Sequence, residues 1–197
     1  MAVMKKKDIT RRDIISSAQD VFIEKGYAAT SMDDLRLRAD VSKGTLYYHF
    51  TNKEGLFLAC LNASTRAFYV HWLELSNKAE GAAEKLYLLG DYYAQHAPRS
   101  LANATFEYMT AASSEDFSSN RSLFTLIQPE YEMFERVLRE GIQNGEFKPS
   151  LPIDSVILAL YTSFTTLGTA QSLRKNSGAS SSRMIRDLVT SMIHGIK

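Results

Sequence analysis

The sequence predicts an all-α chain of about nine helices: an N-terminal three-helix domain containing a helix-turn-helix, then a larger helical domain. Two observations carry that expectation. Proline occurs only at Pro98, Pro129, Pro149 and Pro152, so long stretches are free to be helical. No stretch sustains the period-two alternation of a half-buried strand, whereas apolar residues recur at helical spacing along most of the chain.

The first helix is expected to start at Thr10, whose hydroxyl can cap it while Asp13 answers at the third position. Ile14, Ile15, Ala18, Val21 and Phe22 then form an apolar stripe, and Gly26 ends the helix in the left-handed conformation that glycine allows. A second helix is expected from Ser31 to Arg38, with Met32 and Leu35 facing inward. Ala39, Asp40 and Val41 make the turn, and Ser42 caps a short third helix. Asn52 can cap a long fourth helix reaching Lys78, before a break at Gly81. Further helices are expected over 83–97, 100–113, 120–144, 153–174 and 181–195. Between them lie the polar loop Glu115–Asn120, the Asn144–Gly145 and Pro149–Pro152 turns, and the Asn176–Ser182 connector. The domains are placed at 1–52 and 53–197.

Composition narrows the class. Hydrophobic residues at 45% and charged residues at 23% describe a soluble globular protein rather than a disordered one. No apolar run approaches the ~18 residues of a membrane span, and Lys5, Lys6 and Lys7 precede no apolar segment of a secretory signal. Cys60, the only cysteine, excludes an intramolecular disulfide and a Cys-rich zinc site. A cytoplasmic protein is the expectation, with no cofactor and no metal. Residues 1–55 hold 10 Lys/Arg against 8 Asp/Glu, and residues 56–197 hold 13 against 14. Net charges of +2 and −1 decide nothing, so the function has to be read from the pattern.

The third helix carries that pattern. Ser42 leaves amides at the helix start that favour a phosphate, and Gly44 lets the backbone come close to a partner. Lys43 and Thr45 occupy the first turn, where recognition helices meet base edges. Tyr47, Tyr48 and His49 can hydrogen-bond phosphate oxygens, and Lys53 in the next helix can pair with the same backbone. Leu46 and Phe50, four apart, would fill the interior. A packed helical hairpin with a polar outer face would account for any one of these residues. The capped helix, turn, glycine, aromatic–histidine run and lysine in succession point to duplex DNA.

Residues Thr10 to Leu58 resemble the DNA-binding domain of TetR-family transcriptional regulators. The resemblance rests on Ile15, Ala18, Phe22, Gly26, Tyr27 and Thr30, the block VSKGTLYYHF (41–50), and Lys53, Glu54 and Leu56. It implies a homodimer whose third helices each enter a major groove. Thr45, Tyr47, Tyr48, His49 and Lys53 would then touch DNA, with Lys43 and Gly44 beside them. The family usually has a small residue where this chain has Arg36, and glycine where it has Asp40. Asp40 is therefore expected in the left-handed region, and Arg36 either points outward or tilts the two helices apart.

The resemblance further implies a C-terminal domain that binds a small molecule and alters the separation of the two third helices. Phe68, Trp72, Tyr92, Tyr93, His96, Phe106, Tyr108, Met109, Phe124, Tyr131 and Phe134 suit a largely apolar or aromatic effector. They equally suit an ordinary helical core, and the sequence leaves both open. His71 and His96 have no partner at metal-ligand spacing. Cys60 reads as a small buried hydrophobe, with a redox role as the alternative. Val156, Leu160, Phe164, Leu167 and Gln171 form one stripe, with Thr162, Thr165, Thr166 and Gly168 allowing close approach. Ile185, Leu188, Val189, Met192, Ile193 and Ile196 form another, so the last two helices can build a twofold dimer interface or face their own core.

The function expected is a ligand-responsive regulator, a repressor, reading a pseudo-palindromic operator. The alternative is a helical adaptor or DNA-binding protein without small-molecule control. An enzyme is not expected, because the chain lacks a nucleophile–base–orienter set, metal spacing and a glycine-rich phosphate loop.

Overall fold

The computed structural model describes the backbone of residues 2–96, 101–112, 117–173 and 181–196, and the side chains of 11–96, 101–111, 123–166 and 183–195. Among the described residues there are nine helices and no strand. They are α1 (Ala2–Lys25), α2 (Met32–Arg38), α3 (Lys43–His49), α4 (Lys53–Ser76), α5 (Ala82–His96), α6 (Ala102–Ala112), α7 (Phe117–Gln143), α8 (Ile153–Leu173) and α9 (Ser181–Ile196). No helix among them is long and apolar enough to cross a membrane.

Two helix starts differ from expectation. Helix α1 begins at Ala2 rather than Thr10, because AVMKKKD contains good helix formers and no glycine or proline to stop propagation. Helix α7 begins at Phe117, inside the segment read as a polar loop, since Ser and Asn weaken a helix without breaking it. Residues 113–116 and 174–180, which hold the rest of that loop and most of the Asn176–Ser182 connector, lie outside the described residues. Ser181 and Ser182 already belong to α9.

The chain forms two compact units, Met1–Arg66 with Asn103–Leu126, and Ala67–Ala102 with Ile127–Lys197. The expected boundary after residue 52 falls within the first of these units. The first turns of α4 and all but one residue of α6 pack with α1–α3, because Leu56, Phe57, Cys60 and Leu61 are buried there. Ile14, Ala18 and Phe22 of α1, Leu35 of α2, Leu46 of α3 and Phe50 complete the first core. The ring of Phe57 meets Phe22 at 5.0 Å and Tyr27 at 4.9 Å. Fully burying one such side chain contributes ~1.5–3 kcal/mol, so a few anchors suffice to fix short helices.

The second unit is built around Phe68, Trp72, Leu86, Leu89, Phe134 and Phe164. Gly90 brings α5 against α9: a Cβ there would lie 2.6 Å from Ile185 Cγ2. The Tyr87 and Thr190 hydroxyls bond across the same contact at 2.9 Å. Leu160, Phe164, Ile185, Val189 and Ile193, read from the sequence as dimer-stripe residues, are buried in their own chain. The apolar spacing marks a buried face without saying which copy buries it. Val156, Leu188 and Met192 are half-buried, while the side chains of Leu167, Gly168, Gln171 and Ile196 lie outside the described residues.

Candidate DNA-reading helix and aromatic body

The turn geometry follows from the caps. Ser31 and Asp34 form a reciprocal capping box at the start of α2, with Asp34 N–H donating to Ser31 Oγ at 3.1 Å and Ser31 N–H to Asp34 Oδ2 at 2.9 Å. Lys25 adds an ion pair to Asp34, and these bonds hold its carboxyl well below the usual range. Asp40 takes φ +51°, the left-handed conformation expected where glycine is usual. Arg36 sits at the surface, half-buried, its guanidinium 3.4 Å from Asp33. Ser42 Oγ then accepts the Thr45 N–H at 3.1 Å and starts α3.

Helix α3 is anchored from within by Leu46, 1% exposed, and by Phe50 immediately after it. The Arg11 guanidinium covers the Phe50 ring at 5.0 Å. The opposite face turns outward. Tyr47 is 46% and Tyr48 66% exposed, Ser42, Lys43 and Gly44 are exposed, and Thr45 and His49 are half-buried. The hydroxyls of Ser42 and Thr45 bond at 2.8 Å, Lys43 Nζ lies 5.9 Å from the Tyr47 ring centroid, and Tyr48 meets His49 edge-on. This donor-rich, aromatic face is seven residues long and can lie in a major groove.

Lys53 is placed differently from its neighbours. Its ammonium donates to the Tyr27 carbonyl at 2.8 Å and lies 4.4 Å over the Tyr27 ring. Burial pushes its pKa below the usual lysine value. Other basic groups of the unit are also engaged: Arg38 pairs with Glu24 at 2.7 Å.

Known proteins bear on this geometry. Residues 14–60 match the family described as bacterial regulatory proteins, tetR family, and residues 64–165 match the C-terminal region of QacR-like proteins. The HTH-type transcriptional regulator QacR of Staphylococcus aureus is 31% identical over 140 residues, 68% of this chain and 71% of that one. The chain belongs to the tetR family. Family members are transcriptional regulators that bind operator DNA as dimers and respond to small-molecule effectors. The fold agrees with that of FadR from Bacillus subtilis in complex with stearoyl-CoA, at a TM-score of 0.77 and 20% identity over 94% of this chain and 99% of that one. FadR from Bacillus halodurans gives 0.79 at 19% identity with the same coverage.

The aromatic residues expected in the effector-binding part of this TetR-family chain divide between the units. Tyr108 is a core residue of the first unit, its ring 5.0 Å from Tyr27 and its hydroxyl donating to Glu54. Phe106, Met109 and Phe124 belong to that unit as well, and all three are exposed. Phe68, Trp72, Tyr92, Tyr93, His96 and Tyr131 belong to the second. There Phe68 stacks on Tyr92 at 4.3 Å, Tyr92 on His96 at 4.0 Å, and Tyr93 meets Phe68 edge-on at 5.3 Å.

Glu130 is a residue the sequence reading missed. Tyr93 Oη donates to its carboxylate at 2.9 Å, and its negative charge also acts on the Tyr161 phenol. Burial and the carboxylate raise both phenol pKa values. The signal was present: Glu130 lies at helical spacing from the buried Leu123, Phe134 and Val137. Among the described residues, no three His, Cys, Asp or Glu side chains are grouped to hold a metal ion. Cys60 is buried, its thiol donates to the Ile15 carbonyl, and burial pushes its pKa up to about 12.

Proposed function

We propose that this chain is a ligand-responsive transcriptional repressor that reads a pseudo-palindromic operator as a homodimer. The observation that carries this reading is the outward face of α3, with Tyr47 and Tyr48 exposed above a buried Leu46. In this reading Ser42, Lys43, Gly44, Thr45, Tyr47, Tyr48 and His49 contact the duplex, and Lys53 joins them at a phosphate when its ammonium leaves the Tyr27 carbonyl. Two α3 helices one duplex turn apart, about 34–36 Å, would match twofold-related half-sites. The dimer forms through the outer faces of α8 and α9, where Leu158 is 57% exposed and Thr162 and Ser191 lie at the surface. The protein acts in the cytoplasm, where bacterial operators are.

The effector is a small, largely apolar or aromatic molecule received among Phe68, Trp72, Tyr92, Tyr93, His96 and Tyr131. FadR of Bacillus subtilis forms a complex with stearoyl-CoA, and KstR2 of Mycobacterium tuberculosis is a ketosteroid transcriptional regulator, both compatible with that class. An effector releases DNA only if it binds the non-reading arrangement better, by ~5.5 kcal/mol for a swing from 1:99 to 99:1.

Selection of duplexes by the full-length protein from a randomised pool tests the reading. Enrichment of an inverted repeat supports it, and an unenriched pool overturns it. Thermal shift against a broad apolar panel tests the effector: no stabiliser favours an adaptor without small-molecule control.

A further inference from the structure

Two oppositely charged side chains grip the two ends of one peptide group in the first unit. Glu107 of α6 accepts the Ala28 N–H at 2.9 Å, and Lys53 of α4 donates to the Tyr27 carbonyl at 2.8 Å. That N–H and that carbonyl belong to the same peptide bond. Each hydrogen bond polarises the group in the sense that strengthens the other. Gly26 leaves room for the carboxylate: a Cβ there would crowd the Glu107 oxygens. Lys53 also approaches the Ala28 carbonyl at 3.5 Å. The ammonium is thus held by carbonyl oxygens, an aromatic face and a carboxylate across one peptide, while its sequence position suits a DNA phosphate.

We propose that Glu107 is a positioning residue for DNA binding: it strengthens the Tyr27–Ala28 turn as a rival site for the Lys53 ammonium, and so decides whether that ammonium reaches a phosphate. The proposal rests on the DNA reading above. Glu107 touches no DNA in this scheme and acts through Lys53. With the carboxylate in place the cation stays on the turn, and one phosphate contact per subunit is withheld. Weakening the carboxylate's hold frees it.

Glu107→Gln tests this, because the amide oxygen can still accept the Ala28 N–H while the charge is lost. The probe is a duplex selected by the wild-type chain from a randomised pool, titrated over a range of salt. Glu107→Gln should bind it about 3- to 10-fold tighter, with log K against log salt steeper by ~0.9 for each phosphate gained. Adding Lys53→Gln should remove both gains. Affinity and slope equal to wild type overturn the proposal, as does a gain that survives Lys53→Gln intact. If Glu107→Gln lowers the thermal midpoint sharply, Glu107→Asp serves instead. It keeps the charge one methylene back, and must move affinity and slope in the same direction. A wild-type chain that selects no duplex defeats the DNA reading itself, a result distinct from a binding wild type whose variant behaves identically.

Discussion

The phenol of Tyr108 donates a hydrogen bond to the Glu54 carboxylate at 2.7 Å, joining α6 to the first turn of α4 across 54 residues of chain. Tyr108 is buried against Tyr27 and Phe57, so Tyr108→Phe keeps the packing and removes one bond to a charged acceptor. A loss of about 1.5–3 kcal/mol is expected. Urea unfolding followed by circular dichroism measures it. A variant as stable as the parent would show that the bond adds nothing beyond what water supplies.

The α3 face should separate binding from stability. Tyr47 and Tyr48 are exposed, so alanine at either position should leave the thermal midpoint almost unmoved. Each should nevertheless weaken DNA binding by a similar factor on every duplex, as the loss of a phosphate contact does. Lys43→Ala should cost about 1–3 kcal/mol and relax the base preference at one position, since the first turn of α3 meets base edges. Fluorescence anisotropy on labelled duplexes reads both quantities.

Glu130 should matter to the second unit for a different reason. Tyr93 donates a hydrogen bond to its carboxylate, and Glu130→Ala leaves that phenol to find another partner. The expected cost is about 1 kcal/mol for the partly buried hydroxyl left unpaired. Glu130→Gln keeps an acceptor oxygen and should cost less. Equal losses in the two variants, measured by thermal unfolding, would contradict this account.

Cys60 should be chemically quiet. With its thiol at about 12, only about one molecule in ten thousand carries a thiolate at pH 8. A disulfide reagent should therefore react at the rate of unfolding, and much faster in urea. The sign of the pH effect follows from the same shift. The folded thiol is harder to ionise than the unfolded one near 9.0, so its contribution is intact below pH 9 and is lost as pH rises toward 12. Tyr93 and Tyr161, also raised, act in the same direction above pH 10. Thermal midpoints from pH 8 to pH 11 should fall steadily, and less steeply in Cys60→Ala.

Much of the first unit was legible in the sequence because its determinants are local. The Ser42 cap, the left-handed Gly26 and Asp40, the Asn52 Oδ1 that accepts the Gly55 N–H, and the Leu46–Phe50 spacing are all decided within a few residues. What escaped is long-range. Nothing near Tyr108 indicates that its partner is Glu54, so the sequence leaves open whether this aromatic side chain lines a pocket or, as here, packs in the core beside Tyr27. Motif and spacing place Lys53 where a phosphate would pass but cannot show Glu107, far along the chain, which shapes its surroundings. The stripes of α8 and α9 were placed correctly along their helices, yet periodicity could not distinguish the chain's own core from a partner's face.

The central claim is that α3 lies in the major groove. Its most direct test is a guanine-methylation protection footprint of the full-length protein on a duplex it has selected. The account predicts two protected patches on one face of the duplex, centred about 10 base pairs or a multiple apart, both lost in a Tyr47→Ala, Tyr48→Ala double variant that remains folded. Protection that persists unchanged in that variant, or a footprint confined to the minor groove, would contradict it.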